Sequence, residues 1–198
     1  MDEFRGRVAV VTGGGSGLGA EMARAFAREG AKIVLADLDS AAMDDVAGQI
    51  RAAGGEAIGV RADVTRRPDV EALARQAFDR FGAVHIVCNN AGVGVFGPLA
   101  TATDRDWQWV MNVNFWGVVH GIEAFVPKMI EQKQGGHIVN TASMAGLTGM
   151  PGLGVYCASK FAVVGLSESL QRELKPAGIG VSVLCPMIVR TNIDASER

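Results

Sequence analysis

"VAVVTGGGSGLGAEMARAF", residues 8–26, holds the transition that decides the fold. A short β-branched run reads as a strand, three glycines break it, and the residues from Gly17 to Gly30 read as a helix. Glycine lets the backbone turn sharply and lets a ligand approach it closely. The N-terminus of a helix adds free N–H groups and the positive end of a dipole. The general pattern G-x-G-x-x-[GA] falls on Gly15, Gly17 and Ala20, and a second spacing, T-G-x-x-x-G-x-G, falls on Thr12, Gly13, Gly17 and Gly19. Glycines alone also serve ordinary turns. A strand before them and a helix after them make a cradle for a pyrophosphate, with Ser16 and Leu18 in the same turn.

The same alternation continues outward. "KIVLAD" is a second strand, followed by a helix from about Ser40 to Ala53, and "EAIGVRAD" is a third strand. "RPDVEALARQAFDRFG" is a helix with Pro68 in its first turn and Gly82 at its stop. "VHIVCNNAG", "GHIVNTAS" and "GVSVLCP" supply three more strands, separated by helical stretches over Asp104–Lys133 and from Gly154 to about Lys175. Strands this apolar are covered on both faces. Strict β/α alternation predicts an α/β, Rossmann-like, doubly wound parallel sheet in three layers, whose ligands sit beyond the carboxyl ends of the strands.

The 198 residues are read as one domain, residues 1–198. A net charge of −2 with no basic run argues against nucleic acid and anionic membranes, and no apolar stretch is long enough to span a bilayer. Cys88, Cys157 and Cys185 fit neither a disulfide framework nor a metal site, so they read as buried reduced thiols, which implies the cytoplasm. His85, His120 and His137 are scattered, and no metal site is expected.

Asp37 ends the second strand. A carboxylate there accepts hydrogen bonds from ribose hydroxyls and repels a 2′-phosphate. With neither Ser16 nor Leu38 basic, NAD is favoured over NADP. The competing reading makes Asp37 a turn or cap residue, a role Asp39 or Ser40 would fill equally well.

With the glycine loop and the pair Tyr156 and Lys160 both in view, the chain resembles the short-chain dehydrogenase/reductase family from about Arg7 to Thr191. The resemblance implies that Thr12, Gly13, Gly17 and Gly19 form the cofactor loop and that Asp37 selects NAD. It places Asp63 near the adenine, with Val64 beside it, and makes Asn89-Asn90-Ala91-Gly92 the motif that supports the sheet and borders the cofactor. Asn114, seven residues after Trp107, matches the active-site asparagine in preference to Asn112. Ser143, Tyr156 and Lys160 match the rest of a catalytic tetrad, and Pro186 and Thr191 match the segment facing the nicotinamide. The family also implies that the helix after Gly154 and the one containing Asn114 form the interface of a homodimer or homotetramer. Ala158, Ala162 and Gly165 suit that interface or, alternatively, packing on the sheet.

Tyr156 is the only tyrosine, and Lys160 lies four residues on, on the same helix face. A free phenol is a poor base at neutral pH, and a neighbouring ammonium is expected to favour the phenolate. The tuned phenol would exchange a proton with an alcohol or carbonyl oxygen while Ser143 donates to the same oxygen. The resemblance gives Lys160 the nicotinamide ribose and Asn114 a proton-relaying water.

Two departures stand out. Met187 replaces a glycine after the sixth strand and would be strained if that position needs positive φ. The family's substrate-covering segment and last strand are expected but absent before Arg198. The remaining pocket wall, Val93–Pro98 and Met144–Leu153, is apolar, which implies an apolar secondary alcohol or ketone. Two other readings stay open: a non-enzymatic dinucleotide-binding module, and epimerisation or dehydration with retained NAD.

Overall fold

The computed structural model describes residues 4–189, 191 and 193. Six strands form one sheet: β1 (Val8–Thr12), β2 (Lys32–Asp37), β3 (Ala57–Arg61), β4 (Ile86–Asn89), β5 (Gly136–Thr141) and β6 (Ile179–Leu184). Their order is β3-β2-β1-β4-β5-β6 and every pairing is parallel, so the expected doubly wound sheet is present. The chain winds outward from β1 to β3, then returns to place β4 on the other side of β1. That reversal puts the switch point between the carboxyl ends of β1 and β4.

Alternating strand residues feed two cores. Val10, Val34, Val87 and Ile138 face Leu73 of α3 (Arg67–Phe81), Phe125 of α5 (Gly117–Glu131) and Leu170 of α6 (Gly154–Leu174). Val11, Ile33, Leu35 and Ile86 face Ala20 of α1 (Gly17–Arg28) and Met43 and Ile50 of α2 (Ser40–Ala52). All of β1 is buried, which is why its sequence shows no polar alternation. Each large core side chain such as Phe125 or Leu73 contributes about 1.5–3 kcal/mol of burial.

The turn chemistry follows the sequence. Pro68 sits in the first turn of α3 and Gly82 ends it in the left-handed region at φ 77°. The Asp39 carboxylate accepts from the N–H groups of Ala41 and Ala42 and caps α2, so the capping role falls to Asp39, while Asp37 Oδ1 accepts the Asp39 N–H and shapes the turn. The helical stretch expected over Asp104–Lys133 is interrupted. It comprises α4 (Asp104–Met111), a π-helical turn over Asn112–Trp116, and α5. No described helix is long and apolar enough to cross a membrane.

Candidate active site

The carboxyl ends of the strands open into a cleft of about 610 Å3. Its floor begins at the glycine turn. Gly13 has φ +64°, and a Cβ there would stand 3.0 Å from the Cα of Ala91. A Cβ on Gly19 would strike the carbonyl oxygen of Gly13 and lie 2.7 Å from Asn90 Nδ2. Backbone therefore packs on backbone where the loop meets the NNAG segment, and any larger residue would push the loop outward. Ser16 stands at the N-cap of α1 and forms no side-chain cap, which leaves the first N–H groups of the helix for something else. Such uncapped donors at a helix start suit an anion.

Hydrogen bonds tie the loop to the helix that carries Tyr156 and Lys160. Thr12 Oγ1 accepts from the N–H groups of Asn90 (3.0 Å) and Ala91 (3.1 Å) and donates to the Cys88 carbonyl. Asn90 Nδ2 donates to the Thr12 carbonyl (3.0 Å), and its Oδ1 accepts from Thr141 Oγ1 (3.2 Å). The Thr141 carbonyl in turn accepts from Lys160 Nζ at 2.9 Å.

Asp37 Oδ2 accepts from the Gly15 N–H (2.9 Å) and Oδ1 from the Asp39 N–H (3.1 Å). A carboxylate has about four acceptor sites, so two remain for a ligand. Asp63 binds the N–H and hydroxyl of Thr65 through Oδ1, which shapes the loop where Val64 packs against Gly117. Pro186 accepts from the Met144 N–H, joining the segment after β6 to the turn after β5, and Thr191 lies against Gly17.

The expected residues gather in two layers. Gly13, Ser16, Gly17, Leu18, Asp37, Asp63, Val64, Asn90, Ala91, Gly92, Ser143, Tyr156, Lys160, Pro186 and Thr191 all line the cleft. Thr12, Gly19 and Asn114 stand behind this wall and shape it, and Gly15 lines an adjoining groove with Ser16, Gly17 and Leu18. Asn114 is fully buried in the π-helical turn. Its Oδ1 accepts from the Val93 N–H (2.8 Å), and its Nδ2 donates to the Val93 carbonyl and to Ser159 Oγ, both at 3.0 Å.

The electrostatics correct one expectation. Burial raises the Tyr156 pKa above the usual 10.0, and hydrogen bonding with the Ser143 hydroxyl opposes that rise. The Lys160 ammonium lies 5.5 Å from the centre of the phenol ring, over its face, and the net direction in the unliganded protein is upward, opposite to the expected lowering. Burial pulls the Lys160 ammonium itself down to about 8, with Cys185 working the other way. Lys160 is 2% exposed, and its hydrogen bond to Thr141 uses one of its three N–H donors, so it suits a ligand bearing hydroxyl groups.

Two further expectations are revised. Met187 does not adopt positive φ, since Lys133 is the only non-glycine that does among the described residues. Met187 is exposed and unstrained. Ala158 and Gly165 are exposed and a Cβ on Gly165 would meet nothing, so these two do not serve packing on the sheet, while Ala162 is half-buried. The sequence reading missed Thr141 and Ser159. Ser159 had one signal, its place between the candidate residues Tyr156 and Lys160 in "YCASK".

Comparisons with known proteins agree with this architecture. Probable oxidoreductase EphD of Mycobacterium tuberculosis is 44% identical over 186 residues, covering 94% of this chain but only 31% of that protein's length. A CLA biosynthesis dehydrogenase/reductase of Lactiplantibacillus plantarum is 36% identical over 199 residues, covering 100% of this chain and 70% of the relative. The crystal structure of a short chain dehydrogenase/reductase from Burkholderia phymatum in complex with NAD superposes with a TM-score of 0.97 at 50% identity, covering 100% of this chain and 71% of that one. The pattern of the short chain dehydrogenase family spans residues 7–198, and with the parallel sheet and the glycine turn already in place the conclusion follows that the chain belongs to the short-chain dehydrogenase family of oxidoreductases.

Proposed function

We propose that the chain binds NAD in this cleft and transfers a hydride between it and an apolar secondary alcohol or ketone, with Tyr156 as general acid/base. The observation that carries this reading is the shared wall. The uncapped start of α1, the Asp37 carboxylate, and the trio Ser143, Tyr156 and Lys160 all border one cleft. The glycine turn would hold the pyrophosphate, Asp37 the adenosine ribose and Lys160 the second ribose. When bound, the cofactor supplies the hydride acceptor and, oxidised, a positive charge that favours the phenolate.

In alcohol oxidation Tyr156 takes the hydroxyl proton, and in the reverse direction it returns a proton to the carbonyl oxygen. Ser143 donates a hydrogen bond to the same oxygen and holds it beside the phenol. The proton leaves Tyr156 by way of Lys160 and a water that Asn114 would hold. Val93, Phe96, Trp109, Met150 and Leu153 form the neighbouring wall and offer no charge, which suits a substrate without ionised groups. The exposed or half-buried Ala158, Ala162 and Gly165, with exposed Phe161 among them and exposed Trp116 in the turn that contains Asn114, fit a homo-oligomer interface. Light scattering of the purified chain tests that reading.

The decisive experiment follows reduced-nicotinamide absorbance over a panel of secondary alcohols. Tyr156→Phe should lower kcat by roughly 1,000-fold while NAD still binds, and undiminished turnover removes Tyr156 from the chemistry. Because Tyr156 is the only tyrosine, phenolate absorbance reports it alone. Its midpoint should lie above 10.0 in the unliganded protein and fall on adding NAD. Cofactor choice is tested by Asp37→Ser, which removes the carboxylate beside the strand-register position of Arg61. The NAD-to-NADP affinity ratio should narrow, and an unchanged ratio excludes that role.

A further inference from the structure

The turn of α6 that carries Tyr156 and Lys160 also carries a fully buried hydroxyl. Ser159 Oγ donates to the Tyr156 carbonyl at 2.7 Å, a local bond of the kind helical serines commonly form. It also accepts from Asn114 Nδ2 at 3.0 Å, across 45 residues of sequence.

An amide has two donors and two acceptor sites. One Asn114 N–H goes to the Val93 carbonyl, the other goes to Ser159, and Oδ1 accepts the Val93 N–H. The second lone pair of Oδ1 is left over. A Cβ on Gly92 would stand 3.4 Å from Asn114 Oδ1 and 3.5 Å from Lys160 Nζ, so oxygen and ammonium flank the same point of the cleft wall. An inverted amide would set an N–H donor against the Val93 N–H and lose the bond to Ser159. Val93 sets which atom of the amide is the oxygen. Ser159 sets how far the amide stands from α6.

We propose that Ser159 is a positioning residue that locks the Asn114 amide to the Tyr156–Lys160 turn and so sets where the Asn114 oxygen stands relative to the Lys160 ammonium. This rests on the proposed roles of Asn114 and Lys160. The hydroxyl touches no reacting atom and acts through Asn114.

The test is a double-mutant cycle of Ser159→Ala and Asn114→Ala in the full chain, with 1-phenylethanol and cyclohexanol as probe alcohols, read together with the side-chain amide NMR signals of Asn114. Loss of one buried hydrogen bond should lower kcat roughly tenfold in Ser159→Ala and shift its kcat–pH profile. NAD affinity and alcohol KM should stay within about twofold, and Ser159→Ala should add less than about twofold to Asn114→Ala. The Asn114 amide protons should exchange slowly in the parent protein and lose protection in Ser159→Ala whether or not either alcohol is turned over. Ser159→Cys, a weak acceptor of similar size, reads the same contact should the alanine variant not fold. Multiplicative losses in kcat, unchanged amide protection, or a fall in Tm with kcat and its pH profile intact would each overturn the proposal alone. An unchanged kcat for Asn114→Ala would instead remove Asn114 from the reaction, and this proposal with it.

Discussion

Helix α6 presents two buried serines that do the same local chemistry with different consequences. Ser159 accepts from Asn114 and donates to the Tyr156 carbonyl. Ser167 accepts from Asn140 at 2.9 Å and donates to the Val163 carbonyl at 2.6 Å. The Ser167 pair continues inward. Asn140 Oδ1 accepts from Asn89 Nδ2 at 2.8 Å, and Asn89 Oδ1 ends against the backbone of Gly121 in α5 without a conventional hydrogen-bond partner. A Cβ on Gly121 would land on that oxygen, so an α-hydrogen points at it and makes a weak C–H···O contact. This ladder runs between sheet and helices and ends at Asn89 Oδ1, and none of its members lines the cleft. The Ser159 pair stands directly behind Gly92, Val93 and Lys160, which do. The comparison teaches that a buried asparagine–serine contact does not declare its role by its chemistry. The role follows from where the leftover hydrogen-bonding capacity faces.

The largest expected effect that would break this contrast is at Gly121. Gly121→Ala drives a methyl onto Asn89 Oδ1, and overpacking should cost about 3 kcal/mol, outweighing the roughly 1 kcal/mol that alanine returns in helix propensity. Chemical denaturation measures it, and a variant as stable as the parent would mean that the ladder is loosely held. Next, Ser167→Ala should cost about 1–3 kcal/mol by orphaning a buried amide N–H, with kcat per folded molecule unchanged. If Ser167→Ala lowered kcat as Ser159→Ala is expected to, the distinction between the two pairs would fail.

The smallest effect separates both pairs from a group that titrates. His85 Nδ1 accepts from the Val8 N–H at 3.1 Å, and Nε2 bonds Gln134 at 2.8 Å, an arrangement open only to the neutral ring. Burial lowers its pKa below 6.5, with the Gln134 bond opposing and Arg7 reinforcing. A base held neutral by the fold contributes stability that is present above pH 6.5 and is lost as pH falls below it toward the folded-state value. The amide ladders titrate nowhere in this range. Tm should therefore decline below 6.5, and the His85 ring should titrate by NMR below 6.5. A midpoint at or above 6.5 would contradict the neutral clamp.

Much of the fold was legible because its signals are local. Five consecutive buried residues in β1 show as an unbroken apolar run, and the stop at Gly82 shows as a residue free to adopt positive φ. The candidate site was legible in the same way, since Tyr156 and Lys160 share a face by helical spacing alone. The interruption of the helical stretch at Asn112–Trp116 was not legible, because "NVNFWG" carries no breaker until Gly117. The rise of the Tyr156 pKa was also hidden, since charge spacing along a helix says nothing of how much water is excluded.

The order of strands and helices along the chain, the glycine turn, the stop at Gly82 and the spacing of the Tyr156–Lys160 pair were determined by sequence, through backbone freedom and periodicity acting over a few residues. The tertiary structure decided which asparagine–serine contact stands behind the cleft, which groups lose water, and which small residues face outward. Those outcomes depend on residues far apart in the chain arriving at one place, as Asn114 and Ser159 do across 45 positions. Burial and hydrogen-bond partnership are properties of that meeting, and no short window of sequence contains them.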